Sequence, residues 1–452
     1  MAATSSNINL KVALSYKQIV TIALPISAAL LVPQVNFITN NIFLSGLGEQ
    51  ALGAAGITGV FYLIFAGIGV GLNNALQALI SRRAGENRIN DIGKIFSQGI
   101  FVAMAIAAFG IVSTYLLAPI IFRHAIHSEE TYNMCIHFLR IRIWGLPFLY
   151  LYQMRNALLV GTNQSKYLVA GTIAETVANV FFDYTLIYGH WGFPELGFNG
   201  AAIASIIAEF LGMFVVFVVI HIKKFHKTFF LYDHFYIDKK ISKLILVQAS
   251  PLIMQYALSI ISWEFFYIMI EHHGQRALAI SNTMRNIFGF FGVFTWAFAA
   301  TCNTMVSNII GQGLKDKVIP LIQKVVNIST GVAIIVCTLL NLFPHLFLSI
   351  YGRGEEFITE AIPVLRVVST ALIIMSFSTV WLNAVTGTGN SMINLAIEFV
   401  AIGLYTIYTY IVLEKLNLPI VWGWAAEWIY WIVLFLLSFL YIKSGRWKKK
   451  VL

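Results

Sequence analysis

The chain has 452 residues, of which 58% are hydrophobic and only 11% are charged. So much apolar sequence excludes a soluble globular protein and predicts a polytopic membrane protein. The net charge of +10 does not indicate a nucleic-acid partner, because the basic residues cluster in alternate loops. Cys135, Cys302 and Cys337 are scattered without a CxxC pair, so they predict neither a disulfide framework nor a zinc site.

Apolar runs long enough to cross a bilayer recur along the whole chain. They predict an all-α integral membrane fold with twelve transmembrane helices, six in each half. In chain order the predicted spans are 17–44, 51–80, 95–122, 132–158, 166–188, 199–222, 245–271, 277–306, 320–350, 360–385, 392–414 and 418–443.

Basic residues indicate the orientation of the chain. They concentrate in alternate connections, including Arg82–Arg83, the loop from Lys223 to Lys243 and the tail from Arg446 to Lys450. Because cytoplasmic loops carry the excess of Lys and Arg, we expect both termini in the cytoplasm and the chain in the plasma (inner) membrane. The same basic clusters are expected to contact membrane lipids.

The two halves of the sequence share an internal repeat in one gapless register, which aligns Pro25 with Pro251. Pairs matched in this register span the full length: Gly48/Gly274, Ala51/Ala277, Leu52/Leu278, Ser81/Ser307, Gly85/Gly311, Arg140/Arg366, Gly161/Gly387, Thr162/Thr388, Ser165/Ser391 and Gly197/Gly423. Because each repeat holds an even number of spans, the two insert in parallel, related by a pseudo-two-fold axis along the membrane normal. We therefore expect an N-terminal lobe at 1–222, a cytoplasmic linker at 223–244 and a C-terminal lobe at 245–452.

The fifth span carries a polar stripe. Glu175, Asn179 and Asp183 recur every four residues, so they share one helix face over about 12 Å. A carboxylate at membrane depth costs about 3 kcal/mol, so each needs a partner, a wet cavity or a proton. The stripe predicts a cation-coupling site, with Na⁺ or H⁺ at Asn179 and Asp183; helix–helix contact is the structural alternative.

Polar residues and prolines in the first span extend this prediction. Asn36 and Asn40 are one turn apart, and they are expected either to complete a polar pocket with Asp183 or to bond neighbouring helices. In the pocket, Asn40 is expected to take part in cation coupling and Asn36 to line the substrate cavity. Pro25 and its repeat partner Pro251 interrupt helix hydrogen bonding, which suits a hinge or a static bend.

The second half offers its own acidic candidates. Glu264 lies mid-span beside Trp263, and an acid with an aromatic wall suits a cation-coupling or substrate-binding role. Glu398 is a further candidate for the substrate cavity, and Glu209 is a similar candidate in the first half. Glu427 lies near a span end, where an interfacial position is expected.

Other residues predict structure or exclude a function class. Arg140 and Arg142 lie near the outer start of span four, where pairing or snorkelling is expected. The chain has no Walker A sequence, so ATP is not expected to drive it, and no nucleophile–base or metal constellation indicates an enzyme or a cofactor.

Several of these segments together resemble the MATE (multidrug and toxic compound extrusion) family. The resemblance rests on Leu24-Pro25, Ser81-Arg82-Arg83-Ala84-Gly85, Leu139-Arg140-Ile141-Arg142 and the stretch from Asn179 to Gly200, and it covers nearly the whole chain. It implies a secondary antiporter that exports amphipathic, often cationic, organic compounds in exchange for H⁺ or Na⁺ through rocking of its lobes.

The resemblance also implies roles for particular residues. Asn179 and Asp183 match the family's cation-binding pair on the fifth helix, and Glu264 resembles a glutamate that other branches place in the seventh helix. Asn40 stands where the family has an aspartate, which implies weaker Na⁺ binding and a larger share of coupling at Glu264. A flippase for a lipid-linked saccharide or lipid is the alternative, but mid-span acids outnumber mid-span bases here.

Overall fold

The computed structural model describes residues 9–352 and 354–450, apart from the side chains of Phe37 and Glu49. Within these ranges the chain is helical and contains no strand, so the predicted all-α class is confirmed. These segments are rich in Leu, Ala, Ile and Phe, which are stable in a bilayer. They form helices because a helix satisfies the backbone hydrogen bonds within the segment, where no water is present to do so.

Twelve long helices in the described residues correspond to the twelve predicted spans. They are α1 Tyr16–Ser45, α2 Glu49–Gly85, α3 Ile89–Ala125, α4 Glu129–Gly161, α5 Leu168–Tyr188, α6 Gly197–Ile222, α7 Lys239–Glu271, α8 Gln275–Gly311, α9 Val318–Leu342, α10 Glu355–Gly387, α11 Ser391–Lys415 and α12 Ile420–Lys443. A 3₁₀ turn at Ile143–Gly145 interrupts α4, and α11 ends in a π-helical turn at Tyr410–Lys415.

Eleven of these described helices are long and apolar enough to cross a membrane by length and composition, and α5 is not among them. The 21 residues of α5 are sufficient for a hydrocarbon layer about 30 Å thick. Its shortfall is in composition, because Glu175, Asn179 and Asp183 replace apolar residues along one side.

The backbone repeats in the same register that the sequence predicts. Helices α2 and α8 both have 37 residues, and both follow a glycine whose φ is strongly positive: 101° at Gly48 and 94° at Gly274. Left-handed residues in the loops are also paired in this register, as Asn87/Gly313, Asn163/Gly389 and Trp191/Asn417. Loop conformation is thus retained even where the amino acid differs.

Close helix packing is repeated as well. A Cβ atom on Gly161, at the end of α4, would lie 2.8 Å from Ile80 Cγ2 in α2. On the repeat-related Gly387 it would lie 2.6 Å from the backbone oxygen of Asn303 in α8. Glycine is required at both crossings because no side chain fits between the helices.

The described residues form two compact units. The first contains residues 9–10 and 28–253, and the second contains residues 11–27 and 254–450. Both unit boundaries fall inside a helix, α1 or α7, two residues after Pro25 and Pro251 respectively. The lobe limits expected at 1–222 and 245–452 stay a prediction.

The linker after α6 is folded against α3 within the first unit. Ser97 Oγ donates to the Leu231 oxygen at 2.8 Å, and Gln98 Nε2 donates to the Tyr236 oxygen at 2.6 Å. Gln98 Oε1 accepts from the Asp238 backbone at 3.0 Å. These contacts fix the segment that leads into α7.

Candidate cation site and buried charges

Two of the three residues in the polar stripe of α5 lie in the protein interior. Asn179 and Asp183 are buried, whereas Glu175 is half-buried. Within the described residues, both carboxylate oxygens of Asp183 and Oδ1 of Asn179 are buried without a hydrogen-bond partner. Buried polar atoms are nearly always paired, so three unpaired oxygens on one helix face indicate a place for a cation or a proton.

Asn36 and Asn40 on α1 present the same feature. Their Oδ1 atoms are also buried without a partner in the described part of the chain. The outer ends of α1 and α5 meet where the Tyr188 hydroxyl donates to the Phe43 oxygen at 2.6 Å.

That contact sets the relative depth of the asparagines and Asp183. At about 1.5 Å per residue, Asp183 lies about 7.5 Å below Tyr188, and Asn40 and Asn36 lie about 4.5 and about 10.5 Å below Phe43. Asp183 therefore lies at a depth between those of Asn40 and Asn36 on α1. The donor set consists of oxygen alone, which suits hard cations.

Glu175 lies in different surroundings, one to two turns away. Its Cβ would be 3.0 Å from a Cβ placed on Gly212, so it packs directly on α6. Tyr152 lies close enough to interact with it electrostatically. The Arg142 guanidinium is within electrostatic range of both Glu175 and Asp183, so it is the cation common to the two acids.

Arg142 belongs to a buried network that the sequence reasoning missed. Its two terminal nitrogens contact the Glu209 carboxylate at 2.5 and 2.8 Å, which makes the pair bidentate. Tyr62 donates to Glu209 Oε1 at 3.2 Å, and its ring lies 3.8 Å below the guanidinium. The ion pair joins α4 to α6, and Tyr62 attaches α2 to both residues of the pair.

The expectation of pairing for the arginines of span four holds at Arg142 alone. A signal for it was available in the sequence, because Arg142 and Glu209 are opposite charges inside spans and each needs a partner. Their separation of 67 residues hides which two residues meet.

In the second unit, Glu398 is enclosed by donors. It is 1% exposed and accepts hydrogen bonds from Gln255 at 3.1 Å, Ser259 at 2.9 Å and Tyr430. Asn394 in turn donates to Gln255 Oε1 at 2.8 Å. The carboxylate thus joins α7, α11 and α12, and its predicted place in a substrate cavity stays a prediction.

Glu264 has the opposite character. It is exposed, and no hydrogen bond or ion pair to it occurs among the residues that the structure describes. Trp263 is half-buried beside it and contacts the Tyr267 ring at 5.8 Å. The residue is available to a ligand, while its coupling role and that of Trp263 as a cavity wall stay predictions.

Glu427 is buried within the protein. It is 2% exposed and accepts a hydrogen bond from Trp431 Nε1 at 2.9 Å. A position near a span end does not reveal which helices pack over it, and the interfacial depth expected for Glu427 stays a prediction. Tyr405 of α11 lies beside the carboxylate.

Comparison with known proteins identifies the family. A family model described as MatE matches residues 25–185 and, a second time, residues 251–411. The second match begins at Pro251, the repeat partner of Pro25, and has the same length as the first, which confirms the repeat and its register. The chain belongs to the MatE family. Members of the MatE family are transporters and not enzymes.

Two bacterial relatives are named probable multidrug resistance protein NorM. The protein of Thermotoga maritima is 22% identical over 443 residues, covering 96% of this chain and 93% of that protein. The protein of Synechocystis sp. is 25% identical over 203 residues, covering 45% of this chain and 44% of that protein. The Synechocystis alignment therefore spans less than half of either chain.

Solved structures confirm the membrane-transporter fold. A MATE crystallised in complex with MaL6 superimposes with a TM-score of 0.91 at 18% identity, covering 99% of this chain and 100% of that chain. A MOP superfamily transporter from Pyrococcus furiosus gives a TM-score of 0.89 at 18% identity, with both chains fully covered. The two-lobed fold of twelve helices predicted from the sequence is the fold of these transporters.

Proposed function

We propose that this MatE family transporter is a secondary antiporter, which exports amphipathic, cationic organic compounds in exchange for H⁺ or Na⁺. The observation that carries the proposal is Asp183, a fully buried carboxylate whose two oxygens have no partner in the described residues. A structural carboxylate would be bonded, as Glu398 is. An unbonded carboxylate can take up and release a cation without breaking the fold.

The neighbouring oxygens support either coupling ion. Asn36, Asn40 and Asn179 add amide oxygens at the depth of Asp183, and carboxylate and carbonyl oxygens are ligands for hard cations. A proton needs only the Asp183 carboxylate. Loading in either form neutralises the acid, which weakens its attraction to Arg142 and couples the ion to the Arg142–Glu209 network.

The second unit supports the choice of substrate. Glu264 is exposed beside Trp263 and Tyr267, and an acid flanked by aromatic rings recognises lipophilic cations through charge and cation–π contact. The relatives in Thermotoga maritima and Synechocystis sp. are named as multidrug resistance proteins, which agrees with such a substrate.

Alternating access follows from the positions of the prolines. The compact units divide two residues after Pro25 in α1 and two residues after Pro251 in α7. A proline removes one helix hydrogen bond, so bending there requires the least disruption. We infer that Pro25 and Pro251 are the hinges of the transport cycle.

The remaining assignments rest on charge distribution. From the positive-inside rule we infer that both termini are cytoplasmic, and we propose that the chain lies in the inner membrane. The transporter is proposed to use the ion gradient alone, with neither ATP nor a cofactor, and its partners are the organic substrate, the coupling cation and membrane lipids.

Transport in liposomes tests the proposal. Purified protein would be supplied with a fluorescent organic cation under a pH gradient and, separately, under a Na⁺ gradient. We expect one gradient to drive uptake and Asp183→Asn to abolish it. Thr409→Val, at the repeat-related position, serves as the matched control and should transport normally. Full gradient-driven transport by Asp183→Asn would refute the assigned site.

A flippase for lipid-linked saccharides is the alternative function. The buried charge of the described residues disfavours it, since after the paired Arg142 and Glu209 are set aside three buried acids, Asp183, Glu398 and Glu427, exceed two buried arginines, Arg82 and Arg155. An anionic cargo would need the opposite balance. Absence of cation transport under either gradient, with translocation of a lipid-linked saccharide by the same folded preparation, would favour the flippase.

A further inference from the structure

A groove on the first unit lies apart from the acids of α5. It is formed by α3, α4 and α6 and has a volume of about 350 Å³. Its lining consists of Tyr115, His137, Arg140, Ile141, Trp144 and Ile206. The groove therefore combines one arginine with a wall of aromatic rings.

Arg140 is the charged group of this groove, and it is not neutralised by the protein. It is exposed, and in the described part of the chain no carboxylate pairs with it and no hydrogen bond engages its guanidinium. The Tyr115 ring, 5.9 Å away, is its aromatic neighbour. Arg142, two residues later on the same helix, has a bidentate carboxylate partner.

The aromatic wall is held in position by hydrogen bonds. Trp144 Nε1 donates to the Tyr115 hydroxyl at 3.1 Å, and that hydroxyl donates to the Arg140 backbone oxygen at 3.1 Å. The chain of two bonds fixes both rings around the start of the 3₁₀ turn of α4. A groove with fixed walls can select its occupant by shape.

The surroundings of the groove face lipid. Phe109, Leu116 and Ile120 of α3 are 71%, 64% and 59% exposed and form a continuous apolar face. Phe210 and Phe214 extend such a surface along α6. Exposed apolar faces on membrane helices contact lipid, so an unpaired arginine among them is stabilised by reaching the headgroup region or by an anion.

The depth of Arg140 suits a headgroup. It follows Glu129, the first residue of α4, by 11 residues, or about 16 Å. Helix α3 is about 55 Å long, which exceeds a hydrocarbon core of about 30 Å by about 25 Å. With that surplus divided between the two ends, Arg140 lies near the edge of the hydrocarbon, where lipid phosphates are found.

We propose that this groove binds the phosphodiester headgroup of an anionic phospholipid. The Arg140 guanidinium would hold the phosphate, because its planar N–H groups match two phosphate oxygens. His137 adds a ring N–H donor to the same groove. Trp144 and Tyr115 flank the glycerol and the first carbons of the acyl chains, as interfacial aromatics do.

The second repeat supplies a matched control. Arg366 is the repeat partner of Arg140, and it is likewise exposed without a carboxylate among the described residues. The positions of Tyr115 and Trp144 are occupied there by Asn341 and Thr370. Arg366 thus has the same charge at the same place in the repeat without counterparts of Tyr115 and Trp144, and the aromatic ring nearby is that of Trp428, which donates to Thr370 from α12 at 3.1 Å.

The experiment measures lipid binding to the purified full chain in detergent. Native mass spectrometry and the melting temperature would be followed with phosphatidylglycerol, with phosphatidylcholine and with inorganic phosphate. We expect wild type to retain and be stabilised by phosphatidylglycerol, and Arg140→Gln to weaken this binding about tenfold. Trp144→Ala should weaken it less, and Arg366→Gln should not change it.

Several results would overturn the proposal. One is retention of phosphatidylglycerol by Arg140→Gln as in wild type. Another is an equal loss in Arg366→Gln, which would show a general surface effect. Equal stabilisation by inorganic phosphate alone would assign the groove to free phosphate and not to lipid. The melting temperature of each variant without lipid identifies loss of folding, and the binding readout is independent of transport.

Discussion

The two units share one backbone plan and differ in the chemistry of their interiors. Asp183 and Asn179 of the first unit correspond to Thr409 and Tyr405 of the second. At these two positions the first unit has a carboxylate and an amide without hydrogen-bond partners among the described residues, whereas the second unit has two hydroxyl groups. On α11, the counterpart of α5, the second unit buries the carboxylate of Glu398, which accepts three hydrogen bonds.

This difference separates two uses of a buried acid. A carboxylate that accepts hydrogen bonds from three donors on other helices stabilises helix packing. A carboxylate without donors is costly to keep and is retained where an ion supplies the missing interaction. The comparison is between corresponding helices, α5 and α11, since Glu398 itself aligns with Thr172 in the repeat register.

The largest expected effect concerns the buried ion pair between Arg142 and Glu209 in the first unit. Arg142→Gln leaves Glu209 buried and unpaired, so we expect a loss of about 3–5 kcal/mol in the free energy of unfolding. The double variant Arg142→Gln/Glu209→Gln should recover most of it. Thermal and denaturant unfolding of the purified variants would measure both. A double variant as unstable as the single one would show that the pair is not an isolated interaction.

The next effect compares the two acids directly. Glu398→Ala leaves three buried donors without an acceptor, and we expect it to cost about 1–3 kcal/mol. Asp183→Asn removes no hydrogen bond and should leave the melting temperature nearly unchanged while it abolishes coupled transport. Equal destabilisation by the two substitutions would remove the distinction between a structural acid and an ion-binding one.

A smaller contrast is expected at the paired glycines. Gly387→Ala places a Cβ 2.6 Å from a backbone oxygen, whereas Gly161→Ala meets the Ile80 side chain at 2.8 Å. At Gly161 the nearest backbone atom, the Gln77 oxygen, is 3.1 Å from the added Cβ, so the clash with backbone is less severe than at Gly387. We therefore expect Gly387→Ala to cost about 2–3 kcal/mol and Gly161→Ala about 1–2 kcal/mol. Melting temperatures of the two variants would establish the order, and the reverse order would contradict it.

The smallest effect is a pH dependence confined to the second unit. His272 contacts the Glu414 carboxylate at 2.9 Å, and this hydrogen bond raises the pKa of His272 above its usual 6.5. The repeat-related contact in the first unit is Tyr188 against the loop at Gly46, which carries no titratable pair at neutral pH.

The sign follows from linkage. A raised folded-state pKa means that the contact stabilises the protein fully below pH 6.5 and that this stabilisation is lost as the pH rises through the raised value. NMR titration of labelled histidine should show the raised pKa in wild type and its return toward 6.5 in Glu414→Gln. An unchanged His272 pKa in that variant would contradict the assignment.

Much of the fold was predictable because it depends on local signals. Apolar length defines spans, and the repeat register is visible in matched pairs such as Gly48/Gly274. The sequence could not show that Asn87 and Gly313 share a left-handed backbone, because two different amino acids satisfy the same φ. Matching amino acids therefore reveal only part of the repeat, because some positions retain the backbone conformation without retaining the residue.

The candidate site was predictable for a different reason. The spacing of Asn179 and Asp183 on one helix face follows from helix geometry alone. The pairing of Arg142 with Glu209 and the burial of Glu427 depend on contacts between helices distant in sequence, which spacing does not contain. Glu264 is exposed because of the face it occupies, and mid-span position alone does not reveal that face.

The inclusion of residues 11–27 in the second unit has a consequence for how the protein is made. The Val12 N–H donates to Asn308 Oδ1 at 3.1 Å and Lys324 Nζ donates to the Leu14 oxygen at 2.8 Å. These partners lie 296 and 310 residues further along the chain, so they are synthesised long after Val12 and Leu14. At about 5–20 residues per second, that delay is about 15–60 s. The first unit, through Ile253, is synthesised within that time. The segment before Pro25 therefore has to remain unpaired until its partners in the second unit have been made.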